Sequence, residues 1–254
     1  MKKFISVLLI MTTLLSLYLV PTYADGAVES SNDHNLIRNV FDEEIQKTIQ
    51  SGRAKGAVAT LIVEGQELLK SGYGYAVEDL SIESDPDLTG FRIGSISKTF
   101  VALAALIATE DGTLELHTDI SQYLGGDFPK LQYPVTMHHL LTHTGGFEEI
   151  ITGMAVKNVS DTEPLSITVR KYMPEQIFKP GEVASYSNYG TALAAYVIEC
   201  ATGIDFAEFC DSRIFKPLGM NHTTFEHMQD TVYVSHAYMP DGSETLDLYM
   251  NLYP

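Results

Sequence analysis

Phe91-Arg92-Ile93-Gly94-Ser95-Ile96-Ser97-Lys98 runs directly into Thr99-Phe100-Val101-Ala102-Leu103-Ala104-Ala105-Leu106-Ile107-Ala108, and the reading of this stretch decides the fold. The second segment is an apolar helix of the buried kind, ending near Asp111-Gly112. Residues three apart on a helix share a face, so Lys98 sets its amine one turn above the Ser95 hydroxyl. A serine hydroxyl is a poor nucleophile until a base takes its proton. The first turn of a helix also offers free N–H groups and the positive end of its dipole to a developing oxyanion. Nucleophile, base and part of an oxyanion site can therefore come from one helix end. The S-x-x-K pattern by itself arises by chance about once in a chain of this size. A polar helix start with a solvated lysine is the competing reading.

Outward from this stretch, composition sets limits. The chain has 254 residues, 45% of them hydrophobic, a net charge of −17 and two cysteines. Lys2-Lys3, the apolar stretch from Phe4 to Val20 and the small-residue site Thr22-Tyr23-Ala24 read as an export signal over residues 1–24. An uncleaved anchor is the alternative, since the stretch is long for a signal and short for a span. Cleavage after Ala24 takes the charge from −17 to −19, because Lys2 and Lys3 leave and no acid goes with them. So acidic a chain avoids nucleic acid and anionic membrane surfaces. The expected location is secreted or in the cell envelope, with no stable membrane contact unless the signal is retained as an anchor. Cys200 and Cys210 can pair in an exported protein, or sit as small hydrophobes on consecutive helices. They make neither a disulfide framework nor a cysteine zinc site.

Hydrophobic spacing predicts an amphipathic helix through Leu36, Ile37, Val40, Phe41, Ile45 and Ile49, after a polar lead-in from Asp25 to Asp33. Ala57 to Val63 and Glu67 to Ala76 flank Glu64-Gly65-Gln66 and read as a β-hairpin. Further helices are expected from Thr136 to Gly145-Gly146, over Val169 to Phe178, Thr191 to Ala201 and Phe206 to Phe215, with a strand over Val232 to Tyr238. No repeat, low-complexity tract or linker interrupts residues 25–254, so these are read as one domain of the α+β class, helix-rich with a small antiparallel sheet.

A second chemical cluster, Tyr186-Ser187-Asn188, follows the Pro180-Gly181 turn. A tyrosine acts as general base only when its pKa falls well below about 10, and a neighbouring ammonium lowers it by stabilising the phenolate. Asn188 carries a neutral amide able to hold Lys98 and to bind a substrate carbonyl. A packed turn aromatic and a loop cap are the structural alternatives. Tyr249-Met250-Asn251 fits the same Y-x-N spacing near the chain end, so the spacing alone is unspecific.

Ser95-x-x-Lys98, Tyr186-Ser-Asn188 and Leu140-Leu-Thr-His-Thr-Gly-Gly146, taken together, resemble the serine β-lactamase and penicillin-binding-protein superfamily. The likeness is to its class C and low-molecular-weight D,D-peptidase or esterase branch. It is also carried by Gly72-Tyr-Gly-Tyr75 and Phe215-Lys-Pro-Leu-Gly-Met220, in order, from about Leu36 to Phe225. The resemblance implies a β-lactamase/transpeptidase-like fold, an antiparallel sheet with packed helices and a helical subdomain. It implies Ser95 as the acylated nucleophile, Lys98 and Tyr186 sharing the base role, and Asn188 as a substrate binder. It implies neither cofactor nor metal, and a small-molecule or peptidoglycan-type substrate: a β-lactam, D-alanyl peptide or ester.

The family also carries a Lys or His, any residue, then Gly on a downstream strand that supplies a second oxyanion N–H. No such motif follows Tyr186-Ser-Asn188 before Pro254. Losing one oxyanion donor costs on the order of 3 kcal/mol in the transition state, and a hairpin alone is marginal as a sheet. The expectation is a C-terminally truncated product or fragment lacking the family's last strands, and reading the bases after codon 254 tests it. A non-catalytic penicillin-binding or sensor relative, or an inactive fragment, is the alternative function. His139 and His143 stand four apart on the expected helix, but no glutamate follows the first as in a metalloprotease helix, so a structural histidine is the simpler reading. No G-x-S-x-G elbow is present. Asn158-Val-Ser160 and Asn221-His-Thr223 are glycosylation sequons by form only.

Overall fold

Glu64 and Gly65 both take positive φ, 51° and 77°, the geometry of a two-residue hairpin turn whose twist matches its strands. The strands it joins are β1 (Gly56–Val63) and β2 (Gln66–Val77), antiparallel in a register that pairs Val63 with Gln66 and Gly56 with Gly74. A short β3 (Ile82–Glu83) continues the sheet along β2, giving the order β1-β2-β3. Gly72 permits the close approach of the chain just after this third strand: a Cβ there would sit 1.7 Å from the Ser84 carbonyl oxygen. The computed structural model describes residues 30–226, 234–239, 241–245 and 249–250. The export-signal reading of residues 1–24 lies outside them.

Two compact units divide at Asp87 and Leu88. In the first, helix α1 (Ser30–Gln50) precedes the hairpin and packs on it. The helix begins inside the expected polar lead-in. Its apolar stripe is only half covered: Ile45 and Ile49 are partly buried, while Leu36 is 62% exposed and Val40 53%. The Tyr73 hydroxyl donates to Asp42 Oδ1 at 2.7 Å and ties β2 to the helix.

The second unit is built around α2 (Lys98–Glu110) and α6 (Asn188–Thr202). α2 turns Val101, Ala104, Ala105 and Ala108 inward, all fully buried, and α6 packs against it. Small residues let the two helices approach closely, and α6 is buried almost all round, from Tyr189 to Ile198. About these two lie α3 (Ser121–Leu124), α4 (Met137–Leu141), α5 (Leu165–Lys171) and α7 (Phe206–Cys210), whose continuation widens over Asp211–Phe215. Leu114, Ile120, Met137, Leu140, Phe147, Phe206, Phe209 and Phe215 close the core. Ala155–Val156 (β4) and Tyr249–Met250 (β5) form a separate two-stranded ribbon. None of the helices among the described residues is long and apolar enough to cross a membrane.

Three expectations need correction. The helix expected over Val169 to Phe178 runs from Leu165 to Lys171. Pro174 removes a backbone donor and clashes with the carbonyl four residues earlier, which stops the helix, while Pro164 stands at the N-cap, just before the first turn. The strand expected over Val232 to Tyr238 is, where described, two isolated bridges, a parallel one from Val234 to Gly90 and an antiparallel one from Tyr238 to Glu244, and residues 232–233 lie outside the description. Tyr249, expected at a ragged end, is instead paired in β5 with Val156. Cys200 and Cys210 are free thiols, the second buried in the core, where desolvation pushes its pKa up to about 12.

Candidate active site

Ser95 sits in a coil tighter than a regular α-helix. Gly94–Ser97 form a 3₁₀ turn, opened by Gly94 at φ +54°, which feeds into α2 at Lys98. The Lys98 ammonium donates to Ser95 Oγ at 3.2 Å. Tyr186 arrives from the other side, its hydroxyl 2.8 Å from the same Oγ. Ser95 and Tyr186 are both exposed, Tyr186 at 49%, so the shared hydroxyl is open to a substrate.

The loop that delivers Tyr186 is laced to the loop after α4. Thr136 and His139 start α4 with a reciprocal capping box. Beyond α4, His143 takes a left-handed φ of 55° and its carbonyl accepts from the Ser185 N–H at 2.8 Å. His143 Nδ1 accepts from the Ser187 N–H at 3.2 Å, and its ring lies 4.6 Å from that of Tyr186. Gly146, at φ +79°, sits against the Phe178 carbonyl, which a Cβ would approach to 2.1 Å. Gln176 fixes the same corner: its amide donates to the Gly145 carbonyl at 3.1 Å and its carbonyl accepts from the Tyr133 N–H at 2.9 Å. Ser187 then caps α6, its Oγ accepting from the Gly190 N–H at 3.0 Å.

Charge around the phenol follows from these contacts. Partial burial pushes the Tyr186 pKa up, but hydrogen bonds to Lys98 and Ser95 and the Lys98 charge outweigh it, and the net direction is below the ordinary phenol value. Burial and the Lys98 charge both depress His143. A neutral imidazole whose Nδ1 accepts from a backbone N–H carries its proton on Nε2.

The structure thus gathers Ser95, Lys98 and Tyr186 about one oxygen atom. Asn188, the first residue of α6, behaves differently from the expectation that its amide holds Lys98. Its backbone N–H donates to Glu149 Oε2 at 2.9 Å and its Nδ2 to Glu149 Oε1 at 2.6 Å. The amide carbonyl and its second N–H remain for a substrate, and only the carbonyl can accept from Lys98. Sequence reasoning misses Glu149, and it sees in His143 only a structural histidine; no local spacing links either residue to Tyr186 or Asn188. The metal-pair alternative for His139 and His143 finds each ring's Nδ1 occupied by a backbone N–H, of Thr136 and Ser187. The second Y-x-N tyrosine is held in β5, where the Arg92 guanidinium lies 5.9 Å from its ring centre; Asn251 lies outside the described residues. A hydroxyl bridged between an ammonium and a phenol is equipped to lose its proton and attack an electrophilic carbon.

Residues 41–246 match the family model described as Beta-lactamase, and the chain belongs to that family of β-lactamase- and penicillin-binding-protein-related serine hydrolases. Protein flp of Staphylococcus aureus (strain N315) is 31% identical over 193 residues, covering 73% of this chain and 38% of its own length. The octameric penicillin-binding protein homologue from Pyrococcus abyssi superposes with a TM-score of 0.69 at 28% identity, over 85% of this chain and 51% of that one. The D-alanine carboxypeptidase AmpC from Burkholderia cenocepacia gives a TM-score of 0.69 at 25% identity, over 88% and 59%. The chain therefore spans less than two thirds of the length of each of these relatives. The α+β, β-lactamase/transpeptidase-like fold implied by the motifs is the fold of the chain.

Proposed function

We propose that this chain is the serine-bearing part of an exported hydrolase that works through an acyl-enzyme on a β-lactam, a D-alanyl peptide or an ester. The single observation that carries the reading is the run of contacts from Lys98 Nζ to Ser95 Oγ to Tyr186 Oη, at 3.2 and 2.8 Å. In the first step the Ser95 proton passes to the Tyr186–Lys98 pair as Oγ bonds to the substrate carbonyl carbon. The bond from that carbon to its nitrogen or oxygen leaving group then breaks, and the leaving group takes the proton. Water repeats the sequence on the Ser95 ester and frees the acid. The depressed phenol pKa supports Tyr186 as the proton acceptor, since a base works best near the operating pH. Export rests on the composition of residues 1–24, and the substrate range on the relatives, one of which is a D-alanine carboxypeptidase.

The test is covalent labelling of the folded chain with a fluorescent penicillin and a fluorophosphonate. Label on wild type that is absent from Ser95→Ala supports the reading, and turnover of the penicillin label marks an enzyme rather than an acylated sensor. Equal label on Ser95→Ala, or none on folded wild type, overturns it.

A further inference from the structure

Glu149 directs both oxygens of its carboxylate to one residue. Oε2 accepts from the Asn188 backbone N–H at 2.9 Å and Oε1 from its side-chain amide at 2.6 Å. A carboxylate has acceptors only, so the amide must present its nitrogen to Glu149 and turn its carbonyl away. A glutamine could not enforce this, since its own amide can pair with Asn188 in either sense. Charge-assisted bonds of this length are the strong kind, and two of them from one side chain fix both the backbone and the rotamer of Asn188. A plain helix cap does not account for the pair. Ser187 Oγ already caps α6 through the Gly190 N–H, and capping needs no bond to a side-chain amide. The Glu149 charge also reaches the site, acting to raise both Tyr186 and His143 against the opposing effects of Lys98.

We infer that Glu149 is a positioning residue. It locks the Asn188 amide with its carbonyl and one remaining N–H turned to the substrate, so that acyl groups bearing a matching amide are favoured over bare ones. This rests on the acyl-transfer reading above. The two free groups of the fixed amide, an acceptor and a donor, match the N–H and C=O of a peptide-like amide on the acyl side. An acetyl or butyryl ester has nothing to offer either of them.

The experiment compares acylation by a fluorescent penicillin, which carries an acyl-side amide, with acylation by p-nitrophenyl acetate, which does not. The variants are Glu149→Gln, Glu149→Ala, Asn188→Ala and the Glu149→Ala/Asn188→Ala double. Glu149→Ala is expected to lower the ratio of penicillin to p-nitrophenyl acetate acylation rates about tenfold, because the effect of the lost charge on Tyr186 is common to both reagents. Glu149→Gln should fall between, and the double variant should be no slower with penicillin than Asn188→Ala alone, because both changes remove one coupling. An equal loss on both reagents, or losses that multiply in the double variant, overturns the inference. If Glu149→Ala unfolds, the isosteric Glu149→Gln carries the comparison. Wild-type chain inert to both reagents overturns the acyl-transfer reading itself. Wild type labelled at Ser95 with an unchanged reagent ratio in the variants overturns the role of Glu149 alone.

Discussion

Tyr186 Oη and Ser95 Oγ share a 2.8 Å hydrogen bond across 91 positions of sequence, and the Lys98 ammonium reaches the same oxygen from one turn away. Two groups that hold and move a proton therefore meet at one hydroxyl, and most of the expected behaviour of the site follows from that arrangement.

Lys98→Ala and Tyr186→Phe should each slow labelling of Ser95 by about 100-fold or more, the usual contribution of a positioned acid–base group. The rate of fluorophosphonate labelling measures this directly. Both variants labelling at the wild-type rate would show that neither group takes the proton.

The pH profile should carry the signature of the phenol. Tyr186 accepts a proton only when ionised, so acylation falls as pH drops through its pKa, and that limb lies below the ordinary phenol value near 10. Lys98→Met removes the hydrogen bond and the charge that hold the pKa down. The limb should therefore move toward higher pH, in a profile of labelling rate against pH from about 5 to about 10.

His143 makes stability pH-dependent on the acid side. Its folded pKa is depressed below the ordinary imidazole value of about 6.5 by burial and by Lys98, so the unfolded chain binds the proton more readily. The associated stability is complete above about pH 6.5 and is lost as pH falls through the folded pKa. His139 is depressed by burial as well and adds in the same sense. Melting temperatures of wild type and His143→Gln between about pH 5 and pH 7 should converge toward the acid end; parallel curves would contradict this.

Gly146→Ala should destabilise the second unit by about 2 kcal/mol or more, because the new methyl meets the Phe178 carbonyl and the backbone is left-handed at φ +79°. Urea unfolding checks the magnitude. Gly126→Ala is the control, because a methyl added there meets nothing within 4 Å and the backbone is not left-handed.

Ser95 and Lys98 are legible in the sequence because their relationship is local: three positions apart, on one helix start. The hairpin is legible for the same reason, since its turn and alternation lie within one short window. Tyr186 becomes legible through its place in a family pattern, and not through any periodicity of its own. Glu149 and His143 are not, because their contacts with Asn188 and Ser187 span 39 and 44 positions and depend on two loops being stitched together. Apolar spacing around Val169 misplaces the α5 boundary because it is blind to Pro174, which terminates helices through sterics. The exposed half of the α1 stripe shows the converse limit: spacing reports an apolar face without reporting what covers it.

The 3₁₀ winding at Gly94–Ser97 has a consequence for anyone wishing to transplant this motif. At about three residues per turn, position i+3 eclipses position i, whereas on a regular α-helix it is rotated away by about 60°. The amine above Ser95 owes its alignment to that tighter coil. A serine and lysine grafted at the same interval onto an idealised α-helical scaffold would need a compensating rotamer to recover it, and the glycine that opens the coil belongs with the graft.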